Sequence, residues 1–188
     1  MRWTDLFDDL EAQLAAQEAA ELRGEIVEHT RTSLGQVTLG ERYLADLGTT
    51  LHLMLRGGPV VEGTLDEVGQ EWIVLGHQDG ARARESLVAT ANVVTVRGLS
   101  GRSDPGRPGQ VQRRLGLRQV LRAVSRDRSV VRVHLVEGAT LTGTIDRVGA
   151  DHLDLSAHPA DLPRRSGEIQ SRITVPYHAL VCLSRHSD

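Results

Sequence analysis

From Thr4 to about residue 33, apolar side chains fall at Leu6, Phe7, Leu10, Leu14, Leu22, Ile26 and Val27 in a background of Ala, Glu and Gln, which predicts a long amphipathic helix. Thr4 is placed to cap its start, and Gly24 and Gly35 weaken it. Thr38 with Glu41 three residues on has the form of a capping box, which predicts a short helix through Leu47 that Gly48 stops. The period then falls from about 3.6 residues to 2. Leu51, Leu53 and Leu55 alternate with His52 and Met54, and Gly57-Gly58-Pro59 supplies a turn. Short apolar stretches at Val60 to Glu67, Glu71 to Leu75, Glu85 to Ala89 and Val93 to Val96 complete a set of five predicted strands. Five short strands suit a small barrel, since closure removes exposed edges. Gly98 to Gly109, rich in Gly, Pro and Ser, reads as a linker. Behind it, Leu117, Val120, Leu121 and Val124 sit at i, i+3, i+4 and i+7 and predict a second helix, after which alternation returns at Val131, Val133 and Leu135. The same pattern predicts a core containing Val60, Leu65, Ile73, Leu75, Val93, Leu141, Ile145, Leu153, Leu155 and Leu180.

The strands repeat. Leu55 to Gly69 aligns without gaps on Leu135 to Gly149, so that Gly58, Gly63 and Gly69 fall on Gly138, Gly143 and Gly149. Upstream, Leu39-Gly40-Glu41-Arg42 is similar to Leu115-Gly116-Leu117-Arg118, and downstream Val88 to Val96 falls on Val175 to Leu183. The unit is a helix plus five strands, present twice, with the second copy lengthened by Ser156 to Arg172. The predicted organisation is an acidic N-terminal helix over 1–36, a first barrel with its helix over 37–98, a linker over 99–112 and a second barrel with its helix over 113–188.

This order of parts, with a glycine inside the second strand and a short turn before the last, resembles the Sm-like fold. The resemblance covers residues 37–97 and 113–185 and rests on pattern and glycine placement. It implies a mainly β protein of two tandem Sm-like five-stranded small barrels, each preceded by a helix. It also implies single-stranded RNA as a ligand and self-association through the edge strands of the barrels. Gly63 and Gly143 would lie where the family's second strand bends. The family's uridine-binding residues do not carry over. The turns that should hold an Asp-x-x-x-Asn pattern read Val68-Gly69-Gln70-Glu71 and Val148-Gly149-Ala150-Asp151, and the turns that should hold Arg-Gly read Thr90-Ala91-Asn92 and Tyr177-His178-Ala179. Separately, Met1-Arg2-Trp3 through Glu11-Ala12-Gln13 resembles small actinobacterial proteins labelled as transcriptional regulators, although no helix-turn-helix triplet accompanies it.

Charge changes the picture more than composition does. The net charge of −3 conceals eight acids against two arginines in residues 1–30, and ten arginines against two acids in residues 97–132. All 22 basic residues are arginine, the residue suited to bidentate contacts with phosphate or carboxylate. Arg114, Arg118, Arg122 and Arg126 recur every fourth residue opposite the apolar face of the second helix, which keeps them on one surface. With Arg107, Arg113, Arg164 and Arg165 they are the candidate nucleic-acid contacts, a ridge that would track phosphates with salt-dependent affinity. The competing expectation is a protein interaction or scaffold module. In it the ridge is a solvated face or is covered by the acidic helix, whose Glu18, Glu21, Glu25 and Glu28 share one side and offer a surface to a protein partner.

Other chemistry is sparse. No apolar run approaches the roughly 20 residues needed to cross a bilayer, and the acidic N-terminus lacks the form of a secretory signal, so a cytoplasmic protein with no membrane partner is expected. Cys182, the single cysteine, lies between Val181 and Leu183 and reads as a buried, inert thiol. The eight histidines form no metal-binding spacing, and there is no phosphate loop, nucleophile elbow or suggestive carboxylate pair. A non-enzymatic protein without a cofactor is the expectation. Aromatic residues, 3% of the chain, are too few and scattered for a base-stacking platform, and Trp72 reads as core or interface.

Overall fold

Among the described residues the period-2 stretches form ten antiparallel strands, and two of the helix-period stretches form helices ahead of the first and the sixth of them. A computed structural model describes residues 35–79, 82–105, 115–158 and 171–185. The helix expected over 1–36 lies essentially outside them. In chain order the elements are α1 (Leu39–Ala45), β1 (Thr50–Leu55), β2 (Val60–Val68), β3 (Trp72–Asp79), β4 (Arg82–Ala89), β5 (Val93–Arg97), α2 (Leu117–Asp127), β6 (Val131–Leu135), β7 (Thr140–Val148), β8 (His152–Ala157), β9 (Ser171–Pro176) and β10 (Leu180–Arg185). Single 3₁₀ turns, Thr90–Asn92 and Tyr177–Ala179, lead into β5 and β10.

The strands form one sheet in the order β5-β1-β2-β3-β4-β10-β6-β7-β8-β9. This corrects the expectation of two tandem barrels, because the two halves are joined edge to edge into a single continuous sheet. The join is β4 against β10, with Cys182 opposite Val88, Leu183 opposite Leu87 and Ser184 opposite Ser86. Its cause lies in side chains that are apolar on both faces. Leu87, Ala89, Leu180 and Leu183 enter one core, while Val88, Val181 and Cys182 enter the other. Separating the halves would uncover both sets and leave two rows of backbone donors and acceptors unpaired. From Leu39 onward the chain is one compact unit.

Within the sheet the duplication is complete at the level of register. Thr64 opposite Gly76, Leu65 opposite Leu75, Glu67 opposite Val74 and Val68 opposite Ile73 recur as Thr144–Ser156, Ile145–Leu155, Arg147–Asp154 and Val148–Leu153, with an irregularity at the same step. Leu55 opposite Val93 and Leu53 opposite Val96 recur as Leu135–Leu180 and Val133–Leu183. Even the turn bonds repeat. Arg56 N donates to Asn92 O at 2.9 Å, and Val136 N to Ala179 O at 3.0 Å. The two equivalent hairpin turns meet, and a side chain at Gly57, whose φ is +81°, would stand 2.7 Å from Val136 O, so only glycine fits that contact.

Of the expected core, Leu65, Ile73, Leu75, Ile145, Leu153, Leu155 and Leu180 are buried. Val93 and Leu141 are partly buried at its margin. Val60 is exposed at 69%, because it opens β2 beside the hairpin turn, where nothing packs over it. Strands β3 and β4 run past the expected Leu75 and begin before Glu85, since hairpin pairing continues through His77–Arg84 to Asp79–Arg82 without apolar alternation. Cys182 is buried, and burial pushes its thiol up to about 11, as an inert core thiol requires.

The chain leaving β5 is held near the sheet by Asp46. Its buried carboxylate accepts the backbone N–H of Ser100 at 2.8 Å and the Ser100 hydroxyl at 2.6 Å, with the Arg102 guanidinium 3.6 Å away. The Ser100 hydroxyl is the largest influence holding this carboxyl below its ordinary range, and it outweighs the opposing effect of burial.

Candidate nucleic-acid interface

Helix α2 is fixed by its apolar stripe. Leu117, Leu121 and Val124 are buried and Val120 is half-buried, and the helix packs on β7. These side chains share a core with Trp72, Leu87 and Ala89 of the first half, so the helix lies over the join rather than over one half alone. The Trp72 indole N–H donates to Leu115 O at 2.8 Å and pins the entry to the helix, which makes Trp72 a core residue rather than a stacking platform. Arg128 in the left-handed conformation (φ 53°) ends the helix, and Ser125 donates its hydroxyl to Ile145 O at 3.1 Å on β7.

The face opposite the stripe carries Arg118, Arg122 and Arg126, all exposed. Among the described residues none of the three forms an ion pair. Arg126 lies in the last turn, where a cation complements the helix dipole, and Arg118 and Arg122 stand a turn apart towards the start. The remaining candidates, Arg107, Arg113, Arg114, Arg164 and Arg165, lie outside the described residues. The helix begins at Leu117, so the ridge that the structure describes is three arginines long.

At the start of this helix the two 3₁₀ turns come together. Asn92, itself buried, donates from Nδ2 to Leu180 O at 2.7 Å and to His178 O at 3.4 Å, linking the turn of the first half to that of the second. Beside this link is a cleft of about 420 Å³ whose lining includes Gln70, Glu71, Thr90, Asn92, Tyr177 and His178. The Tyr177 hydroxyl donates to Gly149 O at 3.0 Å. Burial raises it above the ordinary tyrosine range, while Arg118 and Arg122 are near enough to pull the other way. The arginine face therefore starts at the rim of a mainly apolar cleft, lined also by Leu39, Tyr43, Val68 and Leu117, that holds the Tyr177 ring and a few polar groups. The cationic side chains can contact phosphates, and the cleft offers amide, hydroxyl and carboxylate groups to a base or sugar. Sequence spacing finds the arginines but not Tyr177, which reaches them from the turn between β9 and β10, about 60 residues further along the same copy.

Other residues settle into structural roles. His158, which falls in the lengthened segment of the second copy, is buried with Nε2 2.9 Å from the Thr144 hydroxyl. His52 is exposed and pairs with Glu62 at 3.2 Å, and His134 is half-buried with Nδ1 3.1 Å from the Thr140 hydroxyl. Among the described residues no three His, Cys, Asp or Glu side chains are grouped to hold a metal ion, and no helix is long and apolar enough to cross a membrane. Comparison of the chain with protein-family models, with curated proteins and with solved structures finds no match.

Proposed function

We propose that this chain is a non-enzymatic, tandem Sm-like protein that binds nucleic acid, RNA in particular, through the arginine face of α2. One observation carries the reading. Arg118, Arg122 and Arg126 are exposed and without ion pairs among the described residues, on a helix whose opposite face is anchored in the core. Like charges on one face of a helix disfavour it by a few tenths of a kcal/mol per pair, and an anionic partner removes that cost. The repeated strand order, the helix before each copy and the glycine inside each second strand support the Sm-like part of the reading. Replacing Arg118, Arg122 and Arg126 together by glutamine is expected to weaken binding to single-stranded RNA uniformly across base compositions. The slope of log affinity against log salt should fall by about 0.7 for each phosphate that the variant no longer neutralises. Binding measured at two salt concentrations checks this. If the wild type binds no RNA at low salt, or binds only after residues 1–30 are removed, the interaction-module reading replaces it.

A second reading, self-association, is favoured by the two outer strands. Carried across by the repeat, the join of β10 with β4 becomes β5 of one copy against β9 of another, with Thr95 opposite Val175, Val96 opposite Thr174 and Arg97 opposite Ile173. Val94 is 55% exposed on β5, whereas its counterpart Val181 is fully buried in the join. Changing Val94 to Lys should shift an assembly measured by light scattering towards the single chain and leave the fold intact. A wild-type chain that stays monomeric at high concentration would end this reading.

A further inference from the structure

On the sheet face that carries Val88 and Cys182, the join holds polar residues just beyond the core. Ser86 on β4 lies opposite Ser184 on β10, and Ser184 lies opposite Arg132 on β6. Directly paired residues share a face, so three neighbouring strands set these side chains in one row roughly 10 Å wide. Arg84, two residues before Ser86, points to the same side. His77 closes the row, with Nε2 2.9 Å from the Ser86 hydroxyl. These residues, with Arg185 and a wall of Val60 and Val61, line a cleft of about 480 Å³, within the size range of small-ligand sites.

The composition of the cleft does not follow from the repeat. The counterpart of Ser86 in the second copy is Ile173, and that of Ser184 in the first is Arg97. Ser86 is buried at 7% exposure in a strand inside the sheet, where the apolar pattern would place a residue such as isoleucine. Arg84 and Arg132 line the cleft against one acid, Glu62, which pairs with His52 at 3.2 Å. Arg132 is exposed and forms no ion pair among the described residues, whereas Arg185, paired with Val131, turns to the opposite face and meets Asp127 of α2 at 3.5 Å. The donors come from three successive strands and stand side by side on one face. That arrangement suits a tetrahedral oxyanion with three or four acceptor oxygens better than a planar carboxylate.

We propose that this cleft is a binding site for a small phosphate-class anion, with Arg132 and the hydroxyls of Ser86 and Ser184 as its principal contacts and Arg84 at its rim. The site is separate from α2 and does not depend on RNA binding. Calorimetric titration of the full chain with pyrophosphate, at ionic strength fixed with sodium chloride, tests it. The wild type should bind one pyrophosphate per chain. Arg132→Gln, a change on an exposed side chain, should weaken binding about tenfold, the effect of removing one charge-assisted hydrogen bond. Ser86→Ala should weaken it to a smaller extent, and the combined Arg118, Arg122 and Arg126 to glutamine variant should bind like the wild type. Absence of binding at millimolar pyrophosphate overturns the proposal. So does an Arg132→Gln variant that binds as well as the wild type, or an equal loss in the α2 variant, which would mark diffuse attraction to arginine.

Discussion

Trp72→Ala is expected to lower the stability of the fold by about 3–5 kcal/mol, the range for emptying a buried aromatic site. Trp72 belongs to the first copy by sequence, yet its ring, 1% exposed, packs in the core that holds Leu117, Leu121 and Val124 of α2 and Ile145 and Leu155 of the second copy. The substitution also leaves Leu115 O without its indole donor. The damage should therefore appear first as loosening of α2, and amide exchange in that helix should rise before exchange in β1 or β2. Trp72→Phe keeps most of the apolar surface and should cost less. Urea unfolding followed by circular dichroism gives the comparison, and a loss below about 1 kcal/mol for Trp72→Ala would show that the ring is not part of the joint core.

Gly143→Ala is the second large effect. A methyl group there would overlap Ser156 O, an atom of the neighbouring strand's backbone that has no rotamer by which to move aside. One of the two strands must shift, and overpacking of this kind costs about 3 kcal/mol at the upper end of its usual range. Gly63, its counterpart, would meet Gly76 O at 2.6 Å and should behave in the same way with a smaller effect. Gly76→Ala is the control. Its added methyl would meet the carboxylate of Asp66, an exposed side chain that can rotate away. Equal unfolding midpoints for the Gly143 and Gly76 variants would mean that the close approach of β7 and β8 is not what holds glycine at position 143.

The pairing of Gly63 with Gly143 is legible in the chain because a close backbone approach leaves a mark that no other residue satisfies. Leu65 and Ile145 are equally legible, since period-2 alternation fixes which side of a strand is buried. Alternation does not say which strand lies alongside which, and for that reason it points to two closed barrels as readily as to one continuous sheet. A signal is nevertheless present. Leu180 to Leu183 is an unbroken apolar run, the mark of a strand covered on both faces, whereas Ser171-Arg172 in β9 and Thr95 with Arg97 in β5 are polar, as outer strands are. The arginines of α2 are legible from their fourfold spacing. The two clefts are not, because Tyr177 meets α2, and Arg132 joins Ser86, only through pairings between residues far apart in the chain.

The position of β10 also sets a timetable for making the protein. It is the last of the ten strands in chain order, yet it lies between β4 and β6 in the middle of the sheet. The first five strands emerge from the ribosome with Leu87 and Val88 on an edge whose partner has not been synthesised. At the usual rates of about 5–20 residues per second, the 90 residues between Ala89 and Leu180 hold that edge open for on the order of 5–20 s. During that interval the apolar half of β4, Leu87 to Ala89, lacks the neighbour that buries it. A nascent chain that stalls before Leu180 is thus exposed to pairing with its neighbours on the same message, and completion of a single six-residue strand ends the exposure.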